Sequence, residues 1–190
     1  MFNTYSIENA PEGSVAGLEA TKKAFGFVPN LQTYMAESPA LLNGYSSLWD
    51  IYHKQSGLSA LEQQVVLLTI NYENHCHYCM AGHSTLAKMQ KMEPAVLEAL
   101  REGTVIPDAR LEALREFTRS VVVNRGFVKE QEVEQLLGAG YQRQTVFDVI
   151  AAVALKVMSN YTNHITGTPL DSFMQSNAWT HPADRHAVSR

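Results

Sequence analysis

Cys76 and Cys79 are the chain's only two cysteines, and they stand three apart in NYENHCHYCMAGHS, residues 71–84, with His83 four residues after the second. On a helix the three fall at i, i+3 and i+7, so they project from one face within two turns and can meet. A thiol is inert until it becomes a thiolate. The partial positive charge of a helix N-terminus and a neighbouring imidazole both favour that form.

Acidity alone does not make a catalyst of such a site. Lowering a thiol pKa from about 8.5 to about 6.5 raises the thiolate fraction at pH 7 roughly 25-fold. A Brønsted slope of about 0.4–0.5 takes back roughly eightfold of that in nucleophilicity, leaving about threefold. Reducing a peroxide further requires a proton for the departing oxygen and a second thiol to resolve the sulfenic acid. The motif holds candidates for both. The helix dipole favours Cys76 as the attacking sulfur, whereas the imidazole one turn on favours Cys79. The reading adopted is attack by Cys79. Cys76, nearer the helix start and expected to be the more exposed, then resolves the sulfenic acid and meets an external reductant.

The pattern L-S-x-x-E from Leu58 to Glu62, an apolar helix, and then C-x-Y-C-x-x-x-H resembles the carboxymuconolactone decarboxylase and alkylhydroperoxidase-D-like (AhpD-like) superfamily, in its peroxidase-related branch. The likeness extends to VPNLQTYMAESPALLNGY (28–45) and SNYTNHITGTPLD (159–171), and so spans most of the chain. The resemblance implies an all-α, AhpD-like helical bundle that is homo-oligomeric and works as a thiol peroxidase or disulfide reductase without a bound cofactor. It implies a small hydroperoxide substrate and an external thiol or dithiol reductant. It maps Cys79 to the peroxidatic thiol, Cys76 to its resolving partner and His83 to a relay histidine. One position departs: where the hydroperoxidase carries glutamate twelve residues before its first cysteine, this chain has Gln64, which can orient a water or thiol but cannot exchange a net proton.

Two glutamates stand near enough in sequence to replace that carboxylate. Glu62 lies three residues after Ser59 and is a capping-box residue first. Glu73, three before Cys76, sits in the turn between two helices and is the better stand-in, able to share a proton with His83 or a thiol. His77 and Tyr78, between the cysteines, are read as packing or surface residues that tune access. His53, His181 and His186 are isolated in the sequence and carry no assigned role. Asn160, Asn163 and His164 either cap the last helix or line a pocket, with capping favoured.

Three rival readings follow from the same residues. Zinc has potential ligands in Cys76, Cys79 and His83, with His75 or His77 close by. Structural zinc sites of this type, however, usually take a second ligand pair distant in sequence, and no further cysteine exists. A lactone-decarboxylase lyase would need cationic groups for carboxylates and no thiol pair. A non-catalytic module would use the pair only to sense oxidants.

The elements that must position these groups are helices. Apolar residues recur at three- and four-residue spacing, and period-two alternation is absent over any useful length. Val15, Leu18 and Phe25 mark a first helix closed by Gly26, and Pro29 opens a short piece through Met35. Ser38 and Pro39 start a helix carrying Leu42, Tyr45, Trp49 and Tyr52. Ser59 and Glu62 form a capping box ahead of Leu61, Val65, Leu68 and Tyr72, and the cysteine helix runs from about His77 to Gln90. Helices follow Pro94, through Leu111 to Val121, and through Val133 to Leu137. VFDVIAAVALKVM (146–158) is too short and too charged for a membrane span, so it is expected to be a buried central spine.

At 190 residues, 45% of them hydrophobic and 18% charged, the chain fits a single domain over residues 1–190. A net charge of −4 and no Lys/Arg cluster longer than a pair leave no electrostatic footprint for nucleic acid or an anionic membrane. The opening MFNTYSIENAPEGS lacks a basic n-region and an apolar h-region, which leads to the expectation of a cytoplasmic protein. In a reducing compartment a C-x-x-C pair points to redox or metal chemistry over a structural staple.

Overall fold

The computed structural model describes residues 1–185. Nine α-helices and two short 3-10 helices account for its regular structure, and the described residues include no strand. Helix α1, Glu12–Phe25, ends on Gly26 in the left-handed region (φ 82), and α2, Asn30–Met35, follows Pro29. In α3, Pro39–Gln55, the Ser38 side chain accepts from the Leu41 N–H and Pro39 occupies a first-turn position where no donor is missed. Helix α4, Ala60–Glu73, opens on the capping box formed by Ser59 and Glu62. The cysteine helix α5 is His77–Met89.

Helix α6, Pro94–Glu102, stops at Gly103 (φ 68), where a side chain would run into the Tyr72 ring. Asp108 caps α7, Ala109–Val123, by accepting from the Arg110 and Leu111 N–H groups. Helix α8 is Glu130–Gly138, and α9, Arg143–Thr166, is the longest at 24 residues. Short 3-10 helices at Ser172–Asn177 and Pro182–Asp184 complete the described chain. The buried apolar residues form one cluster.

The central element is α4. Every residue from Glu62 to Asn71 is buried, and α5, α6, α7 and α9 all pack on it. A helix surrounded in this way is apolar on all sides, and its few polar side chains find partners. Gln63, for instance, donates to the Leu58 carbonyl and to Ser56.

The expectation that residues 146–158 form a spine buried on most faces is corrected. Helix α9 turns Val149, Ala152, Leu155, Lys156, Ser159, Asn160 and Asn163 inward, while Phe147, Ile150, Val157, Tyr161 and Ile165 are exposed. The sequence pattern is apolar nearly all round because α9 has one apolar face toward the core and another toward solvent. No described helix is long and apolar enough to cross a membrane.

Candidate active site

Residues 74–76 make the tight turn that joins α4 to α5. His75 takes a left-handed backbone (φ 52), the Cys76 N–H donates to the Asn71 carbonyl, and Cys76 becomes the N-cap residue of α5. Cys79 sits in the first turn of that helix, where unpaired N–H groups concentrate positive potential. Both cysteines are free thiols and both are buried, Cys76 completely and Cys79 to 4% exposure. The expectation that Cys76 is the more exposed sulfur is therefore corrected: folding the turn back onto the end of α4 closes over the N-cap, while Cys79 alone of the pair lines an open cleft.

Helix α9 supplies the groups that touch the sulfurs. The Asn163 amide donates to Cys79 Sγ at 3.2 Å and lies 3.8 Å from Cys76 Sγ, bracing both. Asn160 is held in place by donating to Asn71 and accepting from Asn74, at 3.1 and 2.9 Å. These asparagines line the thiol site; the helix continues past them to Thr166 and is closed by Gly167.

Burial works to raise the Cys79 thiol, yet the Cys76 S–H, the Lys156 ammonium, Ser159 and Asn160 outweigh it and hold Cys79 below the ordinary thiol range. Cys76 is pushed the other way, by donating its S–H hydrogen bond to Cys79, by burial and by the adjacent negative charge. The pair is thus polarised into an anionic Cys79 and a protonated Cys76.

His83, one turn beyond Cys79, is buried and has both ring nitrogens engaged. Nδ1 meets Gln64 Oε1 at 2.9 Å, and Lys156 Nζ donates to Nε2 at 3.1 Å. An ammonium can only donate, so Nε2 accepts and Nδ1–H donates to Gln64. Burial first, then Lys156 and His53, keep this imidazole neutral far below its usual value. The imidazole therefore presents Nε2 to Lys156, and the cation whose charge lowers Cys79 is that lysine. Lys156 is 1% exposed on a helix read in sequence only for its apolar residues. It is the functional candidate that sequence reasoning missed, and the one available signal was a cation, the only one, inside the otherwise mostly apolar VFDVIAAVALKVM.

The remaining candidates fall elsewhere. Glu73 ends α4 with its carboxylate 3.3 Å from the Arg119 guanidinium on α7, so its charge is spent on that helix; burial raises it and Arg119 lowers it. Glu62 closes its capping box and pairs with Arg110. Tyr78 donates to Asp171 at 2.5 Å and accepts from the Leu31 N–H, tying α5 to α2 and to residue 171. His77 is half-exposed beside Trp179. His53 stacks on Trp49 at 4.1 Å, and Trp49 in turn lies 5.9 Å from the His83 ring. His186 lies outside the described residues.

A cleft of about 780 Å³ reaches Cys79, His83 and Lys156. Leu31, Trp49, Leu86, Met89 and the edge-to-face pair Phe27 and Phe173 make its walls mainly apolar. One thiolate and one ammonium at the end of such a cleft can attack an electrophilic atom and protonate what leaves.

No protein-family model and no curated protein matches the sequence. Solved structures do. An uncharacterized peroxidase-related protein from Ralstonia eutropha JMP134, described as an alkylhydroperoxidase AhpD core, superposes with a TM-score of 0.81 at 20% identity, over 94% of this chain and 97% of that one. A peroxidase-related protein from Silicibacter sp. TM1040 gives 0.74 at 21% identity, over 87% and 88%. The debrominase Bmp8, solved as a cysteine-to-alanine variant in complex with 2,3,4-tribromopyrrole, gives 0.75 at 13% identity, over 93% and 95%. The chain has the AhpD-like all-helical fold, as the motif resemblance implies.

Proposed function

We propose that the chain is a thiol-dependent oxidoreductase that reduces small organic hydroperoxides through Cys79 and Cys76, turning over with an external thiol or dithiol. The observation that carries this reading is the polarised thiol pair, with Cys79 at the end of the cleft, Asn163 bracing both sulfurs and the Lys156 ammonium beside them.

In the proposed cycle the Cys79 thiolate attacks the terminal peroxide oxygen. The S–O bond forms, the O–O bond breaks, and the departing alkoxide takes a proton from Lys156 to leave as an alcohol. Neutral Lys156 then accepts the Cys76 proton, and the Cys76 sulfur attacks the Cys79 sulfenic acid. A disulfide forms, and the hydroxide that leaves recovers that proton as water. The external dithiol returns both sulfurs to thiols and is itself oxidised to a disulfide. Gln64 holds His83 in the Nδ1–H form, which leaves Nε2 free to position Lys156.

The test is consumption of cumene hydroperoxide with dithiothreitol as donor. Turnover in the intact chain that is lost in Cys79→Ser supports the proposal; equal turnover in both overturns it.

The aromatic-walled cleft and the shared fold of a debrominase favour a second reading, reductive removal of halogen from an aromatic substrate by the same pair. The Cys79 thiolate would take the halogen, the carbanion would be protonated, and Cys76 would displace halide as the disulfide forms. Offering a bromopyrrole in the same assay separates the two. The assembly is proposed to be a homo-oligomer, supported by the exposed apolar stripe of Phe147, Ile150, Val157 and Tyr161 on α9. Light scattering of the intact chain measures it.

A further inference from the structure

Away from the cleft, the turn before α5 meets the last described segment of the chain. His75, His181 and Asp184 each point one ligand-type atom into a common space, and these atoms all lie within 4.8 Å of one another. His75 Nδ1 is 3.1 Å from Asp184 Oδ2, and the His75 and His181 rings stack with centroids 3.5 Å apart. We infer that these three side chains form a binding site for a divalent late-transition cation, zinc first among them, that clips the segment around residues 179–184 to the turn ahead of the cysteine helix.

The donor set fits the cation. Two imidazoles and one carboxylate are borderline ligands that suit zinc and its neighbours over magnesium or calcium, with the fourth position left to water. The ligands also come from two stretches 106 to 109 residues apart, which makes a site of them only in the folded chain. His75 holds a left-handed backbone that a non-glycine residue rarely adopts (φ 52), and this aims its ring back at the segment. His181 is the fixed member: it is buried against Tyr72 and Trp179, whose indole N–H donates to the Arg101 carbonyl.

The other two ligands can adjust. The side chains of His75 and Asp184 are 46% and 45% exposed, so the His75 ring can leave its stack and present an in-plane lone pair. His181 Nδ1 accepts from the Ala183 N–H, so binding through Nε2 moves the ring proton to Nδ1 and gives up that one bond. His77 Nε2, 3.9 Å from Asp184, stands outside the set of three. No step of the proposed thiol cycle uses this site, and the inference does not rest on that cycle.

The test is titration of the reduced full-length chain with Zn²⁺ by calorimetry and with Co²⁺ by absorption. Expected are one equivalent bound, ligand-field bands without sulfur-to-cobalt charge transfer, and a melting temperature raised by Zn²⁺. Loss of an outer partner of a metal ligand already costs about 10–100-fold in affinity, so removing a direct ligand should cost at least that. His75→Asn, which tolerates the left-handed backbone, and Asp184→Asn change exposed side chains and should each weaken binding by that factor and abolish the thermal shift. A chain that binds no Zn²⁺, binding that survives both substitutions, or a strong sulfur-to-cobalt band would overturn the inference.

Discussion

The Lys156 ammonium donates to Nε2 of His83 across 3.1 Å, joining α9 to α5 beneath the cleft. This contact gives Cys79 a cationic neighbour that the C-x-x-C-x-x-x-H motif does not contain. It also explains how a buried histidine can stay neutral beside a thiolate: the charge that stabilises the sulfur sits on lysine, and the imidazole serves to position it.

Replacing Lys156 by methionine removes the charge and keeps much of the volume. The Cys79 thiol should then titrate at higher pH, because the second-strongest opponent of burial among the charged and polar neighbours is gone. Alkylation rate against pH, followed at Cys79 by mass spectrometry, should show a midpoint below the free-thiol value of about 8.5 in the parent chain and a rise in Lys156→Met. An unchanged midpoint would leave the helix N-terminus and the amides as sufficient causes.

Gln64→Glu tests where the proton comes from. A carboxylate at this position would meet the Nδ1–H of His83 at about the present 2.9 Å and restore the acidic residue of the resembled hydroperoxidase. Since Lys156 is proposed to protonate the leaving oxygen, peroxidase turnover at neutral pH should show no gain. A clear rise in rate would mean that the missing carboxylate limits the cycle.

The pH dependence of stability has a definite sign. His83 titrates far below the usual range when folded, while the unfolded chain takes up its proton near pH 6.5. His53 and His164 are also lowered, chiefly by burial. The unfolded state therefore binds more protons as pH falls below about 6.5, and stability falls with it, by about 1.4 kcal/mol per pH unit for the fully buried His83, with the partly exposed His53 and His164 acting in the same direction. Chemical denaturation between pH 7.5 and 5 should show this slope, flattened by about one proton in His83→Gln.

The helices were legible in the sequence wherever a local signal marked them. The Ser59 and Glu62 capping box, Pro39 after Ser38, and Gly26 after Phe25 each act within a few residues. What surrounds a helix is a different matter. In α4 the spacing marks the single stripe of Leu61, Val65, Leu68 and Tyr72, yet Gln63, Gln64 and Asn71, outside that stripe, are buried as well. Residues 146–158 read as buried on most faces, although Phe147 and Ile150 face solvent. The thiol motif was visible as three residues on one helix. Of its partners, Gln64 on α4 was named through the resemblance, whereas Lys156 arrives from α9, 73 residues after His83, and no spacing rule connects it. His181 looked isolated for the same reason, being 106 residues from the ring on which it stacks.

The central claim is that Cys79 takes the oxidising equivalent and Cys76 resolves it. Mass spectrometry of alkylated thiols after one equivalent of cumene hydroperoxide reads this directly. The parent chain should lose both alkylatable thiols to a Cys76–Cys79 disulfide, and Cys76→Ser should stop with a sulfenic acid on Cys79. Two thiols that still alkylate fully after the peroxide, or a sulfenic acid found on Cys76 in Cys79→Ser at the same rate, would contradict the account.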